Sequence, residues 1–269
     1  MMIKSVIINL QGGLGNQLFQ YAAGLSVAYY NNAELYLPLA QTNKHSGRDY
    51  RERLYIRAKC IDNNINLEKK YTYIDHYEGF NSWDPKGYIN IDHVKLNGYY
   101  QYLPAIESQI PIIKQDLLDK LSDIRCELSK KYSITNKKDL YFLHVRRNDY
   151  LYQPTDTLFV QDKSYYLTAL DKLKLDNNKK LYILSDDVQW CRQQEWLQKD
   201  NFNIIDEPDE LYGLMLMSLC EGGAIIANST YSWWGAVLGC GFDNCSVYYP
   251  TKWFSHKKIN LFSNKWNPI

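Results

Sequence analysis

The sequence predicts an α/β protein made of two doubly wound, Rossmann-like domains. Its 269 residues, 45% of them hydrophobic, can bury a full core and are long enough for two small domains. In the second half, short apolar runs alternate with helical patterns, which is typical of a parallel sheet covered by helices. The first half opens with an apolar run, a glycine-rich turn and a helix, as expected for a second sheet of this kind.

The first half contains fewer clear elements than the second. Residues 6–10 are apolar and predict a strand, and the segment GGLGNQLFQYAAG, residues 12–24, predicts a tight turn followed by a helix. A second strand is expected at residues 34–38, followed by an irregular, tyrosine-rich stretch to about Leu103. Residues 106–131 predict one long helical stretch.

A polar run, TNKKD at residues 135–139, follows that helical stretch and predicts a domain boundary near residue 136. The N-terminal domain is then residues 1–135 and the C-terminal domain residues 136–269, with a C-terminal tail that could pack back on the first domain. The two domains are expected to face one another, and the cleft between them is the expected ligand site.

The second half shows a regular alternation of strand and helix patterns. Ser164 is expected to cap the first of its helices. Because the apolar runs are short and nearly continuous, they read as buried parallel strands of a doubly wound sheet. The predicted strands are residues 141–145, 181–185, 202–206, 224–228 and 247–250, and the predicted helices are residues 164–175, 188–199, 210–220 and 232–238.

Composition excludes several classes of protein. Thirty-one basic and 30 acidic residues give a formal charge of +1, which argues against a nucleic-acid protein with a broad cationic face. No apolar run long enough for a membrane span and no secretory leader is visible, so a cytoplasmic location is expected, with a peripheral position at the inner membrane surface left open. The 24 tyrosines and seven tryptophans would suit contacts with sugars, although cores use aromatic residues too.

The cysteines are scattered along the chain without a C-x-x-C pair. This spacing favours reduced, mostly structural thiols over a zinc site or a disulfide framework. The six are Cys60, Cys126, Cys191, Cys220, Cys240 and Cys245.

The glycine-rich turn matches neither of the common phosphate loops. The pattern G-x-G-x-x-G would require glycine where Leu18 stands, and a Walker loop would require Lys followed by Ser or Thr where Asn16 and Gln17 stand. Glycine still permits positive φ and close approach of a ligand, and the following helix directs free amides forward. A turn needed only for packing is an equally good explanation.

The strongest chemical signal is LHVRRNDY, residues 143–150, directly after a predicted buried strand. Open α/β sheets bind ligands at this end of their strands, and the adjacent Arg146 and Arg147 would be costly to bury there without an anion. Guanidinium groups offer a planar fork of donors that suits phosphate. Asp149 could hold one guanidinium, and His144 could hydrogen-bond to a base or stack on it. A purely structural ion-pair cluster is the alternative.

Two further polar clusters follow later strands. LSDD, residues 184–187, is a weak metal signal because it offers no third ligand, so a role as acceptor for guanine is preferred, with helix capping by Ser185 as the alternative. IIANSTYSWWGA, residues 225–236, places polar groups at a helix N-terminus, where they could cradle an anion or merely cap the helix. These groups belong to Asn228, Ser229, Thr230 and Ser232, whereas Trp233 and Trp234 are expected in the core.

Taken together, these segments resemble the successive signatures of bacterial α-1,2-fucosyltransferases. The segments are GGLGNQLFQYAAG, LNGYYQ (96–101), HVRRNDY, LSDD, LMSLC (216–220) and NSTYSWWGA, and the resemblance runs from residue 6 to about Trp253. It implies the GT-B arrangement of two facing Rossmann-like domains, GDP-β-L-fucose as donor and inversion at the anomeric carbon. It also implies that no metal or other cofactor is required and that the acceptor is a galactose-terminated glycan, taken at the 2-hydroxyl of a terminal β-galactoside.

The resemblance also implies roles for individual residues. Arg146 is expected to be the catalytic residue that clamps the β-phosphate, with Arg147 and Asp149 in support. The C-terminal domain would bind the donor and the N-terminal domain would lie on the acceptor side, with acceptor recognition in residues 71–102. The other expected donor-binding residues are His144, Asp187, Asn228, Ser229, Thr230, Tyr231 and Ser232, together with Gly12, Gly13, Gly15 and Asn16 of the glycine turn.

Some questions stay open at this stage. No general base is identified by spacing, and the candidates in the first half are His45, Asp49, Asp75, His76, Asp84 and His93. A transferase of the same fold that uses another sugar nucleotide or linkage is one alternative. A non-catalytic glycan-binding protein is the other, and the arginine pair argues against it. No nucleic-acid partner is expected, and the oligomeric state is not predicted.

Overall fold

The structure is a computed structural model that describes residues 4–38, 49–61, 72–76, 83–152, 158–255 and 258–269. It confirms the predicted α/β class, because the described strands form two parallel sheets, each accompanied by helices. The chain divides into two compact units. Unit 1 comprises Met1–Lys120 and Ile259–Leu261, and unit 2 comprises Leu121–Lys258 and Phe262–Ile269.

Unit 1 contains a five-stranded parallel sheet within its described residues. Its strands are β1 (Ser5–Ile8), β2 (Glu34–Pro38), β3 (Lys59–Ile61), β4 (Thr72–His76) and β5 (His93–Gly98), in the order β3-β2-β1-β5-β4. Ser5 pairs with Glu34 on one side and with His93 on the other, so β1 lies at the centre. The helices are α1 (Leu14–Asn31), α2 (Arg51–Leu54), α3 (Leu103–Ile106) and α4 (Ile110–Lys120), with 3-10 turns at Pro85–Tyr88 and Glu107–Gln109.

The described part of unit 2 contains a six-stranded parallel sheet. Its strands are β6 (Leu140–Val145), β7 (Lys180–Ser185), β8 (Phe202–Ile205), β9 (Gly223–Ile225), β10 (Ser246–Tyr249) and β11 (Asn267–Pro268), in the order β8-β7-β6-β9-β10-β11. This is the Rossmann order 3-2-1-4-5-6, in which the chain reverses its direction of growth between the first and fourth strands. The helices are α5 (Ser122–Lys131), α6 (Asn148–Tyr152), α7 (Lys163–Leu173), α8 (Val188–Arg192), α9 (Glu210–Ser218) and α10 (Thr230–Gly239), with 3-10 turns at Lys137–Asp139 and Glu195–Leu197.

The division between the units falls after Lys120 and not near residue 136, where the polar run predicts it. The reason is that α5 packs against α9 and therefore belongs to unit 2. The predicted helical stretch 106–131 is also not continuous, because it holds the 3-10 turn Glu107–Gln109 and the separate helices α4 and α5. Proline is tolerated only in the first turn of a helix, and Pro111 lies in the first turn of α4.

Three other expectations about local structure are wrong. The stretch before Leu103 is not irregular throughout, since it contains β5, the strand beside β1. Asp162, not Ser164, caps α7, because its carboxylate accepts a hydrogen bond from the amide of Tyr165 at 3.0 Å. The predicted helix 188–199 ends at Arg192 and resumes only as a 3-10 turn.

The cysteine prediction needs correction as well. Cys240 and Cys245 form a disulfide, which is possible because the chain turns back after α10 and brings their Cα atoms to 5.3 Å. Cys126, Cys191 and Cys220 are free thiols.

The cores agree with the predicted burial of the apolar runs. Trp233 and Trp234 of α10 are completely buried, as expected. Within the described ranges, no helix combines the length and apolar character that a membrane crossing requires.

Candidate active site

The candidate site lies at the carboxyl ends of three neighbouring strands of unit 2. Strand β6 pairs with β7 on one side and with β9 on the other, so the segments that follow these strands share one edge of the sheet. These segments contain the arginine pair, the two carboxylates of LSDD and the turn formed by residues 228–230, called here the NST turn. The structure thus brings the three predicted clusters of unit 2 together at the point where the strand order reverses, which is where such sheets bind ligands.

Arg146 is held by side chains from two segments. Its Nη2 lies 2.7 Å from Oδ1 of Asp149, and its Nη1 lies 3.2 Å from Oδ2 of Asp186. The ring of Tyr150 is centred 5.2 Å from Cζ of the guanidinium. Burial lowers the pKa of Arg146, but the carboxylates of Asp186 and Asp149 outweigh this effect and leave the pKa raised, so the group stays charged. With 30% of its side chain exposed, the guanidinium is oriented and still accessible to an anion.

Arg147 is oriented differently from its neighbour. Its Nε lies 3.0 Å from Oδ2 of Asp187, and its guanidinium lies 4.0 Å above the ring of Trp190. Its backbone amide donates to Oδ1 of Asp186 at 2.8 Å. These contacts join the end of β6 to the end of β7, and the supporting role expected of Arg147 stays a prediction.

The two carboxylates of LSDD have different tasks. Asp187 caps α8, because its Oδ1 accepts from the amide of Trp190 at 3.0 Å, while its Oδ2 pairs with Arg147. Asp186, which the sequence analysis did not single out, contacts Arg146 and the amide of Arg147. Burial raises the pKa of Asp186, and the nearby Arg146 counteracts that rise. The only sequence signal for Asp186 is its place in the LSDD segment.

His144 is a buried, neutral side chain. It is 3% exposed, its Nδ1 has no hydrogen-bond partner among the described residues, and its ring centre lies 5.7 Å from that of Tyr231. Burial, assisted by the charge of Arg146, lowers its pKa to about 3. At neutral pH His144 can therefore act as a hydrogen-bonding or stacking group, but not as a cation.

This pKa makes a prediction about folding stability. With a pKa of about 3, His144 stays neutral in the folded state at pH 5, whereas its ordinary pKa of 6.5 applies after unfolding. Because the unfolded state binds the extra proton, acidification below pH 6.5 should destabilise the fold by about 1.4 kcal/mol per pH unit, or about 2 kcal/mol at pH 5. Urea unfolding at pH 7 and pH 5 measures this loss. His144→Phe keeps a ring that cannot be protonated, so its free energy of unfolding should fall by about 2 kcal/mol less than that of the wild type between pH 7 and pH 5. If the variant shows the same pH dependence as the wild type, the lowered pKa of His144 is refuted.

In the NST turn, most polar side chains are engaged with the protein backbone, whereas the amides at the start of α10 are placed to meet an anion. Ser229 is the residue before α10, and its hydroxyl makes no capping hydrogen bond. The Asn228 side chain donates to backbone oxygens of Phe159 and Trp253, at 3.0 and 3.2 Å. The hydroxyls of Tyr231 and Ser232 donate to backbone carbonyls of unit 2. The feature of this turn best suited to an anion is therefore the N-terminus of α10, and the donor roles of Asn228, Ser229, Thr230, Tyr231 and Ser232 stay predictions.

The glycine turn of unit 1 lies at the carboxyl end of β1. Gly12 has φ +76°, and a Cβ atom there would lie 2.8 Å from Nδ2 of Asn16, so glycine is required. Gly13 is exposed and is the residue before α1, where it offers no side-chain cap. Buried glutamines hold the turn from within: Gln17 donates to the carbonyl of Gly12 at 3.1 Å, and Gln101 donates to Oδ1 of Asn16 at 3.0 Å. The contacts of Gly12, Gly13, Gly15 and Asn16 with a donor stay predictions.

The structure does not identify a general base among the candidates. His93 begins β5, at the end of the sheet away from the glycine turn, and its Nδ1 contacts Oγ of Ser5 at 2.8 Å. Asp49 binds Arg51, which lowers its pKa, and Asp84 caps the turn Pro85–Tyr88. His45 lies outside the described residues, as do the side chains of Asp75 and His76.

The segment proposed for acceptor recognition, residues 71–102, is only partly described. Of its aromatic residues, Trp83 and Tyr100 are 4% and 0% exposed, and their rings meet edge to face with centres 4.9 Å apart. The Tyr100 hydroxyl donates to the carbonyl of Ile74 at 2.7 Å. These two side chains therefore belong to the packing of unit 1 rather than to an exposed sugar platform.

Comparison with known proteins gives a consistent set of relatives. The model of the family described as Glycosyl transferase family 11 matches residues 2–269. The chain is 31% identical to the O-antigen biosynthesis glycosyltransferase WbnK of Escherichia coli, over 96% of this chain and 98% of the relative. It is 26% identical to an alpha-1,2-colitosyltransferase of Escherichia coli, over 97% of each chain. The fold resembles that of the fucosyltransferase NodZ from Bradyrhizobium, with a TM-score of 0.58 and 13% identity over 88% of this chain and 94% of that one.

Proposed function

Because this chain belongs to glycosyl transferase family 11, we propose that it is an inverting enzyme that transfers L-fucose from GDP-β-L-fucose to the 2-hydroxyl of a terminal β-galactoside, forming an α-1,2 linkage. The observation that carries the proposal is the Arg146 guanidinium, which Asp149 and Asp186 hold in an accessible position at the reversal point of the unit 2 sheet. A planar, permanently charged fork at that place suits a diphosphate leaving group.

The proposed chemistry follows from the leaving group. As GDP departs, negative charge develops on the β-phosphate while the fucosyl ring gains oxocarbenium character. Arg146 and the N-terminus of α10 would stabilise that charge, because both are fixed before the reaction and need little reorganisation. The acceptor hydroxyl attacks the opposite face of the sugar, which inverts the anomeric centre. The residue that accepts the hydroxyl proton is not assigned.

A second candidate donor is a colitosyl nucleotide, and the observation that favours it is the Escherichia coli relative named as an alpha-1,2-colitosyltransferase. The likeness to NodZ concerns the fold and does not choose between the two sugars. The test is a donor panel of GDP-fucose, GDP-colitose and GDP-mannose at constant lactose concentration. We expect GDP-fucose to give the largest kcat/KM. A larger kcat/KM for GDP-colitose would replace fucose by colitose in the proposal.

Metal independence is a further prediction of this mechanism. Arg146 and the N-terminus of α10 supply the positive charge that a cation provides in other nucleotide-sugar transferases, so EDTA should leave the rate of transfer nearly unchanged. The measurement is the transfer rate after chelation, with and without added Mg²⁺ or Mn²⁺. Loss of activity on chelation, followed by recovery with either metal, would contradict the proposed mechanism.

A further inference from the structure

Tyr150 contacts both elements proposed to bind the diphosphate. One is the Arg146 guanidinium, and the other is the segment that leads into the N-terminus of α10. The ring of Tyr150 lies beside the Arg146 guanidinium, 5.2 Å from Cζ to ring centre. Its hydroxyl donates to the backbone carbonyl of Asn228 at 3.0 Å. Burial raises the pKa of Tyr150 to about 12, so the hydroxyl keeps its proton at working pH.

The carbonyl that Tyr150 binds is a fixed anchor. Asn228 is 1% exposed, and its side chain is tied to the backbone oxygens of Phe159 and Trp253. It directly precedes Ser229, the residue before α10. A group bound to this carbonyl is therefore held at a constant distance from the first turn of that helix.

The two carboxylate partners of Arg146 contact its guanidinium only at Nη1 and Nη2. Asp149 is 48% exposed, and solvent weakens an ion pair at such a position. An aromatic ring beside the guanidinium restricts rotation of the group and adds a cation–π attraction.

We propose that Tyr150 is a positioning residue that couples the Arg146 guanidinium to the N-terminus of α10, so that both act on the same diphosphate. This inference deepens the proposed function and rests on it for the identity of the nucleotide. Tyr150 itself need not touch the donor.

Two substitutions separate the functions of the side chain, and a third serves as a control. Tyr150→Phe keeps the ring but removes the hydroxyl, and with it the hydrogen bond to Asn228 and the polar contact with Arg146, and should lower kcat roughly 2–10-fold. Tyr150→Leu also removes the ring and should lower kcat roughly 10–100-fold. Tyr152→Leu changes a residue of the same helix that is 88% exposed and should have no effect. Thermal melts of all three variants identify any loss of folding, and Tyr150→Phe keeps the proposal testable if Tyr150→Leu does not fold.

A double-mutant cycle with Arg146→Lys tests whether Tyr150 acts through Arg146. Once the planar fork is gone, Tyr150 has nothing to orient, so adding Tyr150→Leu should cost less than about threefold in kcat. If the two losses multiply instead, Tyr150 acts independently of Arg146 and the proposal is wrong. The proposal also fails if Tyr150→Leu is as silent as Tyr152→Leu.

Two measurements separate this proposal from the proposed function. GDP affinity by calorimetry should fall roughly 3–10-fold in Tyr150→Leu, whichever sugar is transferred. The ¹⁵N relaxation of the Arg146 Nε–H group, measured without nucleotide, should show increased mobility in Tyr150→Leu and not in Tyr152→Leu. Failure of the wild-type protein to use GDP-fucose would refute the proposed function, whereas an equally rigid Arg146 in all variants would refute the role of Tyr150.

Discussion

Replacing Arg146 with lysine is expected to give a folded protein that still binds GDP but transfers sugar about 10²–10³ times more slowly, a loss of about 3–4 kcal/mol in transition-state stabilisation. Lysine keeps the charge and loses the planar fork that contacts Asp149 and Asp186. Because the contact should be strongest when the β-phosphate carries its full charge, the loss should appear in kcat as well as in kcat/KM.

Arg147→Lys is the matched control for this experiment. Arg147 is bound to Asp187 and stacked on Trp190, so its loss should weaken the strand ends but spare most of the turnover. Circular dichroism and thermal melts on both variants identify losses caused by unfolding. Near-normal turnover in a well-folded Arg146→Lys variant would leave the arginine pair as a structural cluster.

Replacing Asp187 with alanine is expected to weaken GDP binding by roughly 1.5–3 kcal/mol, if this carboxylate accepts hydrogen bonds from guanine. The structure offers a second route to weaker binding, since the same side chain caps α8 and pairs with Arg147. Titration calorimetry with GDP measures the effect, and turnover at saturating donor should change less than affinity.

Asp187→Asn separates the two routes. Asparagine is a good helix cap but lacks the charge that favours guanine and Arg147. Weak GDP binding in both variants would show that the carboxylate charge is required, for guanine or for the ion pair with Arg147, whereas affinity restored by asparagine would assign Asp187 to capping. Unchanged affinity in a folded Asp187→Ala variant would exclude the guanine contact altogether.

The sequence predicted much of the fold because most strands of unit 2 are continuous apolar runs. Strands β6 and β7 begin and end within one residue of their predicted bounds. Strand β5 was missed because its sequence HVKLNG alternates between buried and partly exposed positions and lies in a tyrosine-rich stretch. The start of α4 at Pro111 carried a recognisable signal, whereas the disulfide between Cys240 and Cys245 depends on how the chain turns back after α10.

The sequence predicted which segments meet at the candidate site, because each of them follows a predicted parallel strand. Parallel strands bring their carboxyl ends to one edge, and this brings Arg146 near the LSDD and NST segments. The pairing of each arginine with a particular carboxylate depends on side-chain directions, which spacing does not give. Asp186 and Tyr150 were for this reason recognised only in the structure, as were the buried glutamines under the glycine turn.

The most direct test of the account is the reaction of the wild-type protein with GDP-β-L-fucose and lactose, followed by NMR analysis of the product. The account predicts a trisaccharide with fucose in α configuration on the 2-hydroxyl of galactose, together with release of GDP. The absence of transfer, a β-linked fucose or attachment at another hydroxyl would contradict it.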